Sequence, residues 1–121
     1  MDFIIVGLGG FLGSICRYLI YIYFDRFQSD FPWGTLIVNV FGCFVSGLFI
    51  SWASKTFPIH RQFLLFASVG FLGAFTTFSA LSAQTFQLIK TNQIFLAGTN
   101  VALNFILGLI SVWLGSSFKF M

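Results

Sequence analysis

Apolar residues in this chain form four long runs that short polar connections separate. The runs cover residues 3–24, 33–53, 63–89 and 94–114. Each run reaches the roughly 20 residues that an α-helix needs to cross about 30 Å of hydrocarbon. Helices are the expected structure because backbone N–H and C=O groups in lipid must be paired within the spanning segment. The pattern predicts an all-α membrane protein, with residues 1–121 forming a single domain of four transmembrane helices.

The composition agrees with a chain that lies mostly in lipid. Hydrophobic residues make up 58% of it and charged residues only 7%, whereas soluble domains carry about 25% charged residues. The six Lys and Arg residues are scattered rather than clustered, so nucleic acid is not an expected partner. The sequence contains no recognisable nucleophile–base pair, metal-ligand cluster or nucleotide-binding motif, so we do not expect an enzyme.

The positive charges favour neither orientation in the membrane. Three fall on the side of the two termini and three on the other side if Arg17 extends outward: Lys55, Arg61 and Lys119 against Arg17, Arg26 and Lys90. The positive-inside rule therefore predicts insertion in both directions. Small residues four apart on every run allow close helix contacts. Both features favour an antiparallel dimer of oppositely inserted copies.

The third run contains a segment that a simple membrane anchor does not need. In GFLGAFTTFS, residues 70–79, two glycines and the pair Thr76-Thr77 lie near the middle of the run. Glycine lowers helix stability by about 1 kcal/mol, and threonine hydroxyls compete for backbone partners. We predict that the third helix is broken in mid-membrane, with a kinked but continuous helix as the alternative. Freed carbonyls at such a break suit a hard cation, and freed N–H groups suit an anion.

Polar residues also follow helical spacing along one face of the second and fourth runs. They are Thr35, Asn39, Gly42 and Ser46, and Asn100, Asn104, Gly108 and Ser111. Amides in hydrocarbon are unfavourable unless they face protein or water. The two stripes predict a polar pathway, and hydrogen bonding between helices is the alternative interpretation.

The absence of carboxylates from the runs narrows the class of transporter. The chain has no glutamate, and its three aspartates lie outside the runs. A proton-driven pump normally needs an ionisable relay within the membrane, so a passive channel is favoured. Arg17, the one ionisable residue within a run, either anchors at the headgroups or gives a vestibule a positive potential. The ring edge of Phe78 carries partial positive charge and can face a small anion.

Three blocks of the sequence resemble the small fluoride channels of the Fluc (CrcB) family: GGFLGSICRY at 9–18, GTLIVNVFGCFVSG at 34–47 and GFLGAFTTFSALSAQ at 70–84. The resemblance implies passive export of fluoride ion across the inner (plasma) membrane. It also implies an antiparallel, dual-topology dimer, most simply a homodimer, that is embedded in lipid and contains two pores. A structural sodium ion would lie at the dimer centre, held by the carbonyls of Gly73 and Thr76.

The same resemblance assigns residues to the fluoride pathway. It implies a pore asparagine, a pore-facing phenylalanine, a polar track and a vestibule arginine: Asn39, Phe78, Ser79, Asn100, Asn104 and Arg17. We further expect the Asn39 amide and the hydroxyls of Thr77 and Ser79 to donate hydrogen bonds that replace water around the anion.

The chain departs from the family pattern at three positions close to this pathway. The family commonly reads TTFSTF followed by a glutamate, whereas this chain has TTFSAL, with Ala80, Leu81 and Gln84. Leu81 stands where a second pore-facing phenylalanine is usual, and it has no polarised ring edge. The alternatives are therefore one half of a heterodimeric fluoride channel, or a non-conducting membrane subunit. A small multidrug exporter fits less well because no glutamate lies in the membrane.

Overall fold

Every regular element in the part of the chain that the structure describes, residues 1–53 and 60–118 of a computed structural model, is helical. The elements are α1 (Asp2–Asp25), α2 (Trp33–Ala53), α3 (Arg61–Leu64), a π-helical segment (Leu65–Leu72), α4 (Gly73–Phe75), α5 (Phe78–Lys90) and α6 (Ile94–Ser117). Lys55 and Lys119, whose charges were used to predict the orientation in the membrane, lie outside the described residues.

Four helical stretches in this described part are long and apolar enough to cross a membrane. They are Asp2–Asp25, Trp33–Ala53, Arg61–Lys90 and Ile94–Ser117. The third combines α3, the π-helical segment, α4 and α5 in one stretch of 30 residues. The prediction of an all-α protein with four membrane-spanning helices is thereby confirmed.

Two helix pairs form the frame of the protomer: α2 packs on α6, and α1 packs on the π-helical segment. Glycines bring the second pair together. A methyl group on Gly9 would collide with the Phe66 carbonyl oxygen, and one on Gly13 would collide with the Phe71 carbonyl oxygen. Backbone therefore lies against backbone along α1, as small residues permit between helices in lipid.

The pair α2 and α6 is joined by a second close contact, between Gly47 and Gly115. A methyl group on Gly47 would collide with the Val112 carbonyl oxygen, and a methyl group on Gly115 would collide with the Phe44 carbonyl oxygen. The two contacts are reciprocal, so the separation of α2 and α6 is set by the absence of side chains at these two glycines. This spacing also fixes the distance between the polar stripes of the two helices.

Replacing Gly115 with alanine should therefore destabilise the protein, whereas Gly98→Ala on the same helix should not. Both substitutions gain helix propensity, but only the Gly115 methyl meets backbone, since nothing lies within 4 Å of a methyl on Gly98. Overpacking of this kind costs about 1–3 kcal/mol. The midpoint of thermal unfolding in detergent should fall for Gly115→Ala and hold or rise for Gly98→Ala. Equal midpoints for the two variants would contradict the packing described.

Candidate functional site

Two residues with extended backbone lie between α4 and α5. Thr76 has φ −79° and ψ 157°, and Thr77 has φ −151° and ψ 118°. These angles belong to the β region, not to a helix. Regular helix ends at Phe75 and resumes at Phe78. The peptide groups of the two threonines therefore need hydrogen-bond partners from elsewhere in the protein.

The side-chain amide of Asn39, on α2, supplies partners for Thr77. The Thr77 N–H donates to Asn39 Oδ1 at 2.8 Å, and Asn39 Nδ2 donates to the Thr77 carbonyl oxygen at 3.1 Å. In a continuous helix the Thr77 N–H would instead donate to the Gly73 carbonyl. Leaving either backbone group buried and unpaired would cost about 1–3 kcal/mol. The Asn39 amide thus replaces the helical partners of Thr77.

The side chain of Thr77 caps the start of α5. Its Oγ1 accepts the Ala80 N–H at 3.1 Å and lies 3.2 Å from Ser79 Oγ. In a continuous helix that N–H would donate to the Thr76 carbonyl. The carbonyls of Gly73 and Thr76 have therefore both lost their usual helical donors. They are the two carbonyls that the family resemblance implies as ligands for a cation.

Arg17 points from α1 toward the extended residues. Its Nη1 lies 3.5 Å from the Thr76 carbonyl oxygen, at the long limit of a hydrogen bond, and the side chain is half-buried. The guanidinium is always charged, so it brings a positive potential to this part of the protomer. Its contact is with the third helical stretch within the protein.

A chain of amides continues from Asn39 through α6 into α5. Asn39 Nδ2 donates to Asn104 Oδ1 at 2.8 Å, and Asn104 Nδ2 donates to the carbonyl oxygen of Asn100 at 2.8 Å. Asn100 Nδ2 donates to Thr85 Oγ1 at 3.0 Å, and that hydroxyl donates to the Leu81 carbonyl at 2.7 Å. Asn100 and Asn104 are 0% and 7% exposed. The two predicted stripes therefore meet, and their amide donors bond within this protomer.

A groove of about 340 Å³ runs along the surface of the protomer beside these groups. Its walls come from α2, α6 and the start of α5: Asn39, Cys43, Ser46, Thr76, Thr77, Phe78, Leu81, Asn104, Phe105, Gly108, Leu109 and Val112. The Phe78 side chain is 70% exposed, whereas Leu81 is only 5% exposed. Of the predicted pathway residues, Asn39, Thr77, Phe78, Leu81 and Asn104 line this one groove. Arg17, Ser79 and Asn100 lie outside its lining.

A second cavity, of about 250 Å³, lies beside the connection between α1 and α2. Tyr21, Thr35 and Gln84 line it, and the Tyr21 hydroxyl lies 3.1 Å from Thr35 Oγ1. Gln84 Oε1 is the one buried side-chain oxygen or nitrogen without a partner in the described ranges. Tyr21 and Thr85 were not among the site residues predicted from the sequence. The available signal for Tyr21 was its position one helical turn after Arg17 on the same face of α1.

Comparison with known proteins decides the family. The family model described as CrcB-like protein, Camphor Resistance (CrcB), matches residues 4–116. The chain belongs to the CrcB family. Among its relatives, a protein of Campylobacter lari named fluoride-specific ion channel FluC is 44% identical over 111 residues, covering 91% of this chain and 90% of the relative. Proteins of the same name from Clostridium novyi and Hydrogenovibrio crunogenus are 41% and 40% identical, covering 94% and 95% of this CrcB chain and 90% and 88% of the relatives.

In this CrcB protein, the absence of a side chain at Gly42 leaves room for Thr76. A pair of substitutions at these two positions can test the contact. A methyl group on Gly42 would collide with Thr76 Cγ2. We expect Gly42→Ala to cost about 1–3 kcal/mol of stability. Adding Thr76→Ser, which removes Cγ2, should recover much of that loss in the double variant, a coupling that contacting residues show.

The matched control for this pair is Gly108→Ala on α6. Its added methyl would lie 3.4 Å from Cys43 Sγ, an ordinary contact, although it lines the same groove. Thermal unfolding in detergent should show little change for the control. Strictly additive effects of Gly42→Ala and Thr76→Ser would be inconsistent with the contact between α2 and Thr76.

Proposed function

We propose that this CrcB protein is a passive fluoride channel that lets the anion leave the cytoplasm through the inner (plasma) membrane. The main support for this proposal is the similarity to relatives named fluoride-specific ion channels, which extends over about nine tenths of both chains. Passive conduction is supported by the sequence, because the three Asp residues lie outside the apolar runs and no Glu is present. The chain thus has no carboxylate relay for coupling to protons.

The groove beside Thr77 is the proposed route of the anion. Fluoride must exchange its hydration shell for protein donors, as ions do in other selective pores. The hydroxyls of Thr77 and Ser79 lie at the start of α5 and provide O–H donors. The exposed Phe78 ring offers its positive edge, and the Asn104 amide, which bonds to the buried Asn100 behind it, keeps the wall polar. Arg17 adds positive potential near Thr76.

Two protomers in opposite orientations would complete the route. Non-helical backbone at membrane depth is tolerated only where protein buries it or where it lines a cavity, and Thr76-Thr77 falls near the middle of the span Arg61–Lys90. The groove beside these residues is open at the protomer surface. We therefore propose that the third helix is broken in mid-membrane and that an antiparallel second copy covers the break, giving two pores per dimer.

A structural sodium ion between the two copies is also part of the proposal. Neutral carbonyl oxygens are suitable ligands for a hard cation, and the carbonyls of Gly73 and Thr76 lack their helical donors because Thr77 and Ala80 donate elsewhere. A carbonyl oxygen has two lone pairs, so the long Arg17 contact leaves one lone pair of Thr76 for the ion. Bound sodium would take the place of the backbone donors that these two carbonyls have lost.

The second candidate function is one half of a heterodimeric fluoride channel. The specific observation in its favour is Leu81, which lines the groove with an aliphatic side chain where the family pattern has an aromatic ring. A non-conducting partner subunit is the extreme form of the same idea. Measuring the chain without any other protein separates both from a homodimeric channel.

Purified protein in liposomes loaded with fluoride should release the anion when a potassium ionophore removes the opposing voltage. We expect flux from this chain alone, measured with a fluoride electrode. Replacing Phe78 with leucine should reduce that flux about fivefold, because it removes a ring-edge contact of about 1 kcal/mol from the proposed route. The control is Phe95→Leu, at an 84% exposed position on α6, which should keep normal flux.

Each outcome of this flux measurement has a definite consequence. Folded dimer that releases no fluoride would refute the homodimeric channel and favour the heterodimer, which co-reconstitution with a second family member would then restore. Equal flux from Phe78→Leu and Phe95→Leu would remove the phenylalanine from the proposed route.

Dual topology predicts a mixed orientation of the C-terminus in cells. Reporters that are active only in the cytoplasm and only outside it should both give signal when fused after Met121. Arg61 pairs with Asp2 at 2.8 Å, but acidic residues count little in topology. Arg61→Ala should therefore shift the signal toward the outside reporter. Signal from a single reporter for the unmodified chain would contradict dual insertion.

A further inference from the structure

We propose that Asn39 is a positioning residue, which holds the backbone of Thr77 in its extended conformation and does not bind the anion through its own N–H groups. The inference deepens the proposed fluoride conduction and rests on it for the identity of the anion. Its own evidence is the set of hydrogen bonds around Asn39, which exists whether or not fluoride is the ion conducted.

The Asn39 side chain has no donor left for an anion. An asparagine amide carries two N–H donors and one carbonyl oxygen. Nδ2 donates to the Thr77 carbonyl at 3.1 Å and to Asn104 Oδ1 at 2.8 Å, and Oδ1 accepts the Thr77 N–H at 2.8 Å. The backbone N–H of Thr77 also fixes which end of the amide carries oxygen, because a donor needs an acceptor opposite it. Binding an anion would require breaking one of these bonds.

The two bonds to Thr77 act as a bracket, because they hold the N–H and the C=O on either side of one Cα atom. At φ −151° and ψ 118° the N–H and C=O of Thr77 point to the same side, as those of a paired residue do across an antiparallel ladder. The planar amide of Asn39 contacts both groups, so it pairs with Thr77 as a neighbouring strand would. While this pairing holds, the Thr77 N–H is kept away from the Gly73 carbonyl and α4 does not continue into α5.

Asn104 holds the bracket in place from α6. Its Oδ1 accepts one N–H of Asn39, and its Nδ2 donates to both the carbonyl oxygen and Oδ1 of Asn100. Asn100 is fully buried, so this end of the chain has little freedom to turn. The orientation of the Asn39 amide is thus set by α2, which carries it, and by α6, which holds it through Asn104. The two amide stripes together stabilise the extended conformation of Thr77.

One donor that remains for an anion beside Phe78 is a hydroxyl hydrogen of the Thr77–Ser79 pair. Thr77 Oγ1 accepts the Ala80 N–H, and the two hydroxyls lie 3.2 Å apart, so one of them donates to the other. This contact uses one O–H hydrogen of the two, and hydroxyls rotate freely. The second hydrogen is free to turn toward an anion beside Phe78.

Amide hydrogen exchange at Thr77, measured by NMR in nanodiscs without fluoride, tests the bracket directly. Asn39→Ala removes the acceptor of the Thr77 N–H, so we expect exchange at Thr77 to accelerate about tenfold or more. Asn39→Asp keeps an acceptor oxygen and should preserve most of the protection, although its charge should stop fluoride flux. Thr99→Ala, whose hydroxyl bonds only within α6 at Phe95, is the control and should leave Thr77 unchanged.

A second variant keeps the test decisive if Asn39→Ala fails to fold. Asn104→Ala removes the bond that holds the Asn39 amide from α6. Because Asn104 also lines the groove, an anion-binding Asn39 predicts unchanged exchange at Thr77, whatever the flux. The positioning role predicts lower flux together with faster exchange at Thr77. Flux that falls in Asn39→Ala while Thr77 stays protected, or exchange at Thr77 that is unchanged in Asn104→Ala, would overturn the inference. Absence of fluoride flux from the unmodified chain would refute the proposed function instead, and the exchange result would still stand.

Discussion

The structure depends on how the backbone N–H and C=O of one residue, Thr77, are paired inside an apolar protein. The bilayer core offers no water, so each backbone N–H and C=O must find a partner within the protein. Thr77 cannot use its own helix because its backbone is extended, and the Asn39 amide takes the place of both helical partners. This requirement fixes where α2 must lie, since an asparagine side chain reaches only a few ångströms from its helix.

The other close contacts of the protomer follow from that requirement. Gly42 lies one turn after Asn39 on α2 and leaves room for Thr76. The reciprocal contact of Gly47 and Gly115 sets α6 at the distance at which Asn104 reaches Asn39. On the opposite side, the glycines of α1 bring Arg17 within reach of the Thr76 carbonyl. Small residues therefore act here by letting specific polar groups meet. Close backbone packing and hydrogen bonds between helices both favour helix association in lipid.

The sequence was sufficient for some features because they depend on local properties alone. Hydropathy and length identify the four spans without any knowledge of packing, and helical spacing identifies Asn39, Asn100 and Asn104 as residues that share inward faces. The family resemblance, carried by three sequence blocks, is confirmed by the match over residues 4–116. These features require no contact between residues that are far apart in the chain.

Partners in space were not predictable in the same way. Asn39 meets Thr77 across 38 positions, and nothing in helical spacing shows that the amide donors face backbone and one another. We expected Asn39 to donate to an anion, whereas the hydrogen bonds lead us to assign it a positioning role. The π-helical segment Leu65–Leu72 was also missed. Apolar residues occupy all sides of that stretch, so the sequence shows no periodic pattern that would distinguish a π-helix from an α-helix. Tyr21 and Thr85 become visible only through their contacts with Thr35 and Asn100.

The most direct measurement of the central claim is an experimental structure in lipid, with sodium and fluoride present, at a resolution that distinguishes side-chain amides. The account predicts Thr77 in an extended conformation, with the Asn39 amide on its N–H and C=O and with any anion near Phe78 on the Thr77–Ser79 hydroxyls. A continuous helix from Gly73 through Phe78, or an anion bound to Asn39 Nδ2 with Thr77 released, would contradict it.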